Sequence, residues 1–286
     1  MTKEKSIAFQ GELGAYSHLA CTVLFPEMTP LPCPGFEDAF AACEDGHAGL
    51  ALIPVENSLA GRVADIHHLL PSSRLHIIGE FFLPVHHHLL AVKGTKLEDI
   101  KEVRSHVHAI GQCRRFLRQN GLKAVVVGDT AGAAAEIARS GDRSVAAIAS
   151  ELAGSIYGLE SLAANIEDAD HNTTRFLVMS REAKPVDPRI GPTVTSFVFH
   201  VRNVPAALYK AMGGFATNGV NMTKLESYQI NGAFSATQFY ADIEGHPDQP
   251  NVRLALEELG FFSREVRILG VYPAHPYRFK ARLAAD

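Results

Sequence analysis

The chain has 286 residues, of which 47% are apolar, and a formal charge of −4 at pH 7; this length predicts two domains, and this composition proper hydrophobic cores. So mild an acidic balance gives no polyanion-binding signature. Arg114, Arg115 and Arg118 cluster, but on a predicted helix they form a solvated face, so nucleic acid is not an expected partner. No uncharged run reaches the ~18 residues needed to span a bilayer. The charged start Met1-Thr2-Lys3-Glu4-Lys5 leads into a strand-like Ile7-Ala8-Phe9 without an apolar signal segment. The expected compartment is therefore cytoplasmic, with no membrane partner. Cys21, Cys33, Cys43 and Cys113 contain no C-x-x-C pair and read as free thiols in a reducing compartment.

Residues 6–10 read as a first strand, followed by a glycine-bearing turn, Gly11 to His18, that opens a helix running towards Phe25. Pro26 to Gly35 holds four prolines and is predicted loop. Phe36, Ala39, Phe40 and Cys43 share one helical face, and the helix stops near Gly46. Gly49 to Ile53 is a buried strand that runs into a turn, Pro54-Val55-Glu56-Asn57-Ser58. Strands are predicted at 75–79 and 86–92, then a helix near Leu97–Val103. Ser105 to Cys113 is a second polar turn opening a helix that ends at Asn120-Gly121. Lys123–Val127 and Val145–Ile148 read as strands, and Ala131–Arg139 and Glu151–Tyr157 as helices. Such alternation argues for α/β layers with a largely parallel sheet, whose strand ends are where small ligands bind.

The proline-rich stretch from Lys184 to Pro192 marks a domain boundary. Beyond it, Thr193–Val201 is a strand, Asn203 to Pro205 starts a helix ending at Asn218-Gly219, and Met222–Ile230 is a strand. Asn231-Gly232 signals a hairpin, with Phe234–Ile243 as the return strand. Pro250 opens a helix stopped by Gly260, and Phe262–Leu269 is the last strand. The order βαββαβ is a ferredoxin-like unit. Residues 273–286 read as a loosely held tail.

Asn172-Thr173-Thr174-Arg175-Phe176 sets a hydroxyl, a fixed cation and an aromatic ring on successive residues at the entrance of a short strand, Phe176–Met179. Alternation puts Thr174 and Phe176 on one face and Arg175 on the other. The cluster suits a small anionic substrate. Arginine grips a carboxylate with two parallel hydrogen bonds, the hydroxyl meets a leaving oxygen, and the ring flanks an apolar part. His86-His87-His88 is not a metal site, since consecutive strand residues cannot converge on one ion. His67-His68 lacks a partner at useful spacing. Gly11-x-x-Gly14 lacks both the third Rossmann glycine and the Walker lysine.

Four pieces line up in order: G-x-x-G-x-Y-S (Gly11, Gly14, Tyr16, Ser17), P-x-E-N-S (Pro54, Glu56, Asn57, Ser58), T-A after a strand (Thr130, Ala131), and N-x-T-R-F (Asn172, Thr174, Arg175, Phe176). With the βαββαβ tail, they resemble the prephenate dehydratase family over nearly the whole chain. The resemblance implies a two-lobed, periplasmic-binding-protein-like (type II) catalytic domain at 1–184, with lobe one at about 1–80 plus 175–184 and lobe two at about 81–170. It implies an ACT regulatory domain at 193–272, sensing L-phenylalanine, in a homodimer or homotetramer. The reaction would be decarboxylating dehydration of prephenate to phenylpyruvate, and it needs no cofactor because aromatisation drives it.

In that reading Thr174 donates to the leaving hydroxyl and Arg175 anchors a carboxylate. Glu56 either relays a proton, if burial raises its pKa, or supports its loop. Asn57, Ser58, Tyr16, Ser105 and Thr130 either bond substrate or act as caps and turn residues. Phe176 is ring contact or core. Asn172, Ser17 and Gln112 complete the substrate-binding set by the resemblance.

The sequence also departs from the family. The turn S-H-P-Q-A-x-x-Q-C keeps Ser105, His106, Ala109, Gln112 and Cys113, but has Val107 and His108 in place of Pro and Gln. The effector motif G-A-L reads Pro205-Ala206-Ala207-Leu208, and E-S-R-P reads Glu226-Ser227-Tyr228-Gln229. Effector binding would fall to Ala206, Ala207, Leu208, Asn218, Leu225, Glu226 and Ser227. The rivals are arogenate dehydratase and a non-catalytic amino-acid-sensing protein.

Overall fold

The computed structural model describes residues 5–63, 66, 68–229 and 236–280. It divides into two compact units, Met1–Val63 with Phe81–Phe176, and Ala64–Glu80 with Leu177–Asp286.

The first half of the chain runs β1 (Ser6–Gln10), α1 (Tyr16–Leu24), β2 (Thr29–Cys33), α2 (Phe36–Glu44), β3 (Leu50–Asn57), β4 (Gly61–Arg62) and β5 (His76–Pro84). Then come β6 (His88–Ala91), a 3-10 turn at Leu97–Asp99, β7 (Glu102–Ser105), α3 (Val107–Gln112), α4 (Arg114–Gln119) and β8 (Lys123–Val126). After these follow α5 (Thr130–Ser140), β9 (Val145–Ala149), α6 (Glu151–Tyr157), β10 (Glu160–Ala163) and β11 (Thr173–Ser180). They build two sheets, ordered β2-β1-β3-β11-β5 with β4 on β3, and β10-β6-β9-β7-β8. The boundary between the units falls within β5 and β11.

Several expectations give way here. The proline-rich stretch contains β2, paired in parallel with β1 from Ser6↔Thr29 to Gln10↔Cys33. An edge strand tolerates Pro30 and Pro32 because the donors they lack would point away from the ladder. β3 continues through Pro54 to Asn57, so the expected turn starts only at Ser58. Its recorded pairing with β1 ends at Ala51, so Pro54 interrupts no bond there. The expected helix at Leu97–Val103 is one 3-10 turn followed by β7. Val103 is fully buried in a strand flanked by β9 and β8, and tertiary burial outweighs a helical local pattern.

The second half runs β12 (Thr193–Val201), α7 (Ala207–Thr217), β13 (Met222–Gln229), β14 (Ala236–Glu244), α8 (Pro250–Phe262) and β15 (Ser263–Pro273). Its sheet is antiparallel, ordered β13-β14-β12-β15, which is the ferredoxin-like arrangement. Phe197, Phe199, Phe215 and Phe239 form its core with Val252, Ala255 and Leu259 of α8. Phe199 and Phe239 stack with ring centroids 5.2 Å apart. The Asn231-Gly232 hairpin lies outside the described residues. α7 begins later than expected: Ala206 caps it at φ 60°, a left-handed conformation that an L side chain adopts at a cost.

The described part of the tail is not loose. Arg278 forms a two-toothed pair with Glu80, Nε to Oε1 at 2.6 Å and Nη2 to Oε2 at 2.8 Å, and His275 N–H donates to Glu80 at 3.1 Å. The Glu80 side chain is fully buried and that of Arg278 is 14% exposed. Gly270 of β15 has no room for a side chain, since a Cβ there would lie 2.0 Å from the Ile77 carbonyl oxygen.

Replacing Arg278 with Ala removes the guanidinium that balances a buried carboxylate, and we expect a loss of about 3–5 kcal/mol of unfolding free energy, read from the urea midpoint. Ala206→Gly relieves the left-handed backbone and should add about 0.5–1 kcal/mol in the same measurement.

Candidate active site

The site is built where β3 ends beside the start of β11. Asn57 closes a turn: its Oδ1 accepts the N–H groups of Leu59 at 3.0 Å and Ala60 at 2.8 Å. Ser58 clips that turn to the neighbouring strand. Its N–H reaches Thr173 O at 2.9 Å, its Oγ donates to His171 O at 2.8 Å, and Thr173 N–H donates back to Ser58 Oγ at 2.9 Å.

From Asn57 a single file of side-chain hydrogen bonds crosses the unit. Asn57 Nδ2 donates to Thr174 Oγ1 at 3.0 Å and to Asn172 Oδ1 at 2.7 Å. Asn172 Nδ2 donates to Gln112 Oε1 at 2.9 Å. Gln112 Oε1 lies 2.8 Å from His87 Nε2, and His87 Nδ1 lies 2.6 Å from the Tyr16 hydroxyl. Asn172 and His87 are each 2% exposed.

The direction of this file is determined at one end. A backbone N–H can only donate, so Asn57 presents oxygen to Leu59 and Ala60 and nitrogen to the rest. Asn172 must then accept with oxygen and donate with nitrogen, which makes the Gln112 atom an oxygen. His87 Nε2 therefore carries a proton, and in the neutral ring that burial favours, Nδ1 is bare and accepts the Tyr16 hydroxyl proton. Thr174 Oγ1 receives the Asn57 N–H, so its own proton can be offered to a ligand.

The ring of Tyr16 stands edge-on to His87, with centroids 5.5 Å apart. Its hydroxyl also lies 2.9 Å from the His86 carbonyl oxygen. Burial pulls the His87 pKa down, against the opposing hydrogen bond to Gln112 and the nearby Glu167 carboxylate. Burial pushes Tyr16 well above its usual value, with Cys113 and Glu167 adding to the shift. Burial alone would raise Glu167, but bonds from the His87 N–H at 2.9 Å and His86 at 2.8 Å outweigh it and hold the carboxyl below its ordinary range.

Glu56 and Arg175 lie on the opposite face of their strands, with Nη1 to Oε1 at 2.8 Å and side chains 34% and 3% exposed. Since neighbours on a strand alternate, the pair that holds Thr174 and the pair that holds Arg175 point apart. The expected relay from Thr174 to Glu56 has no direct contact here.

The remaining expected residues scatter. Phe176 is 1% exposed, in the core. Ser105 is buried and its Oγ donates to Ile148 O at 2.6 Å. Thr130 opens α5, capped by Asp129 through Gly132 N–H at 2.6 Å. Ser17 sits half-buried on α1. The glycine turn before α1 is held from α6: Ser150 Oγ donates to Gly14 O at 2.6 Å and the Tyr157 hydroxyl to Leu13 O at 2.8 Å. His87 was not expected in the site. Its signal was the alternation that ruled out a metal, which leaves the middle histidine alone on its face. Among the described residues no cluster of His, Cys, Asp and Glu could hold a metal ion, and no helix is long and apolar enough to cross a membrane.

In the second unit a cavity of about 450 Å³ is lined by Ala206, Ala207, Leu208 and Ser227 together with Asn203 and Tyr209. Asn218 instead bonds Gly214 O at 2.8 Å and Glu258 Oε1 at 3.1 Å, Leu225 is 41% exposed, and Glu226 pairs with Lys224 at 3.3 Å.

The polar file ends on a hydroxyl with a proton to give, in a two-lobed α/β fold, and the relatives of this chain mark that fold as one of a lyase-type dehydratase. The family model described as "Prephenate dehydratase" matches residues 7–184. The "Bifunctional N-acyl-homoserine lactone acylase/prephenate dehydratase" of Komagataeibacter europaeus is 51% identical over 280 residues, covering 98% of this chain and 100% of that one. The "Arogenate dehydratase/prephenate dehydratase 1, chloroplastic" of Arabidopsis thaliana is 41% identical over 282 residues, covering 93% of this chain and 71% of that one. The crystal structure of prephenate dehydratase in complex with L-Phe from Arthrobacter aurescens superposes with a TM-score of 0.86 at 29% identity, covering 98% of this chain and 97% of that one. The chain belongs to the prephenate dehydratase family.

Asn57→Asp keeps the oxygen that Leu59 and Ala60 need but cannot donate. Asn172 and Gln112 must then turn over, and the His87 proton moves from Nε2 to Nδ1. The expected outcome is a switch of tautomer in the ¹⁵N ring shifts of His87, with the fold retained.

Proposed function

We propose that the chain catalyses the decarboxylating dehydration of prephenate to phenylpyruvate in L-phenylalanine biosynthesis. The observation that carries this reading is Thr174: half-buried, receiving an N–H from Asn57, and with its own proton unclaimed by any recorded bond. As CO2 leaves the ring, the bonding pair becomes a ring double bond and the opposite hydroxyl departs. Thr174 donates to that oxygen, which leaves as water; a proton from solvent replaces the one Thr174 gives, and Asn57 steadies the charge that builds transiently on Thr174 Oγ1. Asn172, Gln112 and Tyr16 present the neutral groups along the rest of the file. Arg175, on the opposite face of β11 and paired with Glu56, contributes positive potential to the dianionic substrate through the strand and not by direct contact.

The second unit is read as an ACT module binding L-phenylalanine in the cavity at Ala206–Leu208, in a homodimer or homotetramer. The L-Phe named with the Arthrobacter aurescens relative supports this. A titration with L-phenylalanine that gives neither heat nor a change in rate would leave the module an assembly element.

Purified protein mixed separately with prephenate and arogenate tests the substrate, since phenylpyruvate and phenylalanine are distinct products. The plant relative named for both activities makes arogenate the first rival. The relative with full-length similarity and a bifunctional name makes hydrolysis of N-acyl-homoserine lactones a second activity to assay. Thr174→Val should lower dehydratase kcat by about 10²–10³-fold with an unchanged melting temperature, and Thr174→Ser should keep most of it. Near-normal turnover by the folded valine variant would remove Thr174 from the chemistry.

A further inference from the structure

The geometry points to His87 as a positioning residue for this reaction: a neutral imidazole that holds the Tyr16 hydroxyl with its bare nitrogen and the Gln112 carboxamide with its protonated one. This rests on the dehydratase reading, and it concerns a residue that none of the family motifs quoted above contains.

Three observations carry it. First, His87 joins two helices that are remote in the chain, with Tyr16 lying 71 residues away and Gln112 lying 25 away. Second, its ring is aimed from the backbone. The His87 N–H is held by Glu167 Oε2 at 2.9 Å, and its carbonyl accepts the Ile166 N–H at 3.0 Å. Third, Tyr16 has an alternative acceptor, the His86 carbonyl at 2.9 Å. A proton added at His87 Nδ1 would push the Tyr16 proton onto His86 and occupy a Tyr16 lone pair. The imidazole is thus a two-position control on the direction of the Tyr16 hydroxyl.

The surroundings favour the neutral form. His86 and His88 flank the ring along the chain, Tyr16 faces it from α1 and Gln112 from α3, and Cys113, next after Gln112, acts on Tyr16. Glu167, on the loop before β11, is the one carboxylate among the causes of the shift, and it favours the imidazolium. Burial opposes it and prevails, so the pKa lies below the ordinary histidine value. The sign follows: the neutral form is complete at neutral pH and is lost as pH falls through that depressed pKa. Activity should therefore carry an acid limb set by His87.

The test is kcat and KM against pH for the intact protein and for His87→Gln, His87→Asn and Tyr16→Phe, with ¹⁵N titration of His87 in the unsubstituted protein. Gln keeps a donor for Gln112 and Asn keeps an acceptor for Tyr16, so a folding failure of one leaves the other. We expect each to lower kcat by about ten- to a hundredfold and to change KM by less than about threefold. The acid limb should vanish in both, and in the unsubstituted protein it should coincide with the ring titration. Tyr16→Phe combined with His87→Gln should be no worse than His87→Gln alone. Near-normal kcat with the acid limb intact in the folded variants, or a ring titration far from the limb, would make His87 a core histidine only. No turnover of prephenate or arogenate by the unsubstituted protein would instead sink the dehydratase reading, and this proposal with it.

Discussion

Two backbone N–H groups, those of Leu59 and Ala60, impose the order on which the site depends. They admit only an oxygen from Asn57, and each amide further along then has one orientation left. Side-chain amides in solution present either end at will. Here the freedom is removed without any charged group in the file. What results is a pair of hydroxyls in opposite states. Thr174 accepts and has a proton to offer, while Tyr16 has committed its proton and offers lone pairs. In the proposed reaction, a substrate that loses a hydroxyl at one position and is held at another would meet groups already sorted for the two tasks. Little reorganisation remains to be done in the transition state.

Strand alternation separates this neutral file from the charged pair behind it. Glu56 and Asn57 are neighbours, as are Thr174 and Arg175, so a single register places neutral partners on one face and ionic partners on the other. A buried guanidinium without a counter-charge would cost several kcal/mol. Glu56 offsets that cost and stays one-third exposed, which lets it respond to an arriving anion. Charge and hydrogen-bond polarity are in this way arranged by one strand pair without competing for the same atoms.

The amino-acid sequence made much of this legible, for physical reasons that can be separated. The helices Phe36–Glu44 and Glu151–Tyr157 and the strand Thr193–Val201 announce themselves by period and by their flanking turn residues. Asn57, Asn172, Thr174, Tyr16 and Gln112 could each be named, because they fall in the motifs of the family that the sequence resembles. Their relation could not be read, because hydrogen-bond direction is a property of neighbours up to 117 residues apart. β2 hid behind its prolines, since only its place at a sheet edge excuses them. The tail looked idle because Glu80, which gives Arg278 its purpose, lies 198 residues earlier. His87 was visible only as a contradiction of a metal site, and its partners again come from distant helices.

Two strands are continuous across the boundary between the units. β5 and β11 each run through the boundary between the units. β11 carries Thr174 near its start and β5 carries Glu80 in its middle, held by Arg278. An effector changes catalysis only if it binds one arrangement of the chain better than another. The arrangement that matters to Thr174 is narrow, because its bond from Asn57 survives only while β3 and β11 keep their register. Close-packed cores switch between discrete states instead of deforming smoothly. Register between β3 and β11 is therefore the condition on which the Asn57 to Thr174 bond depends.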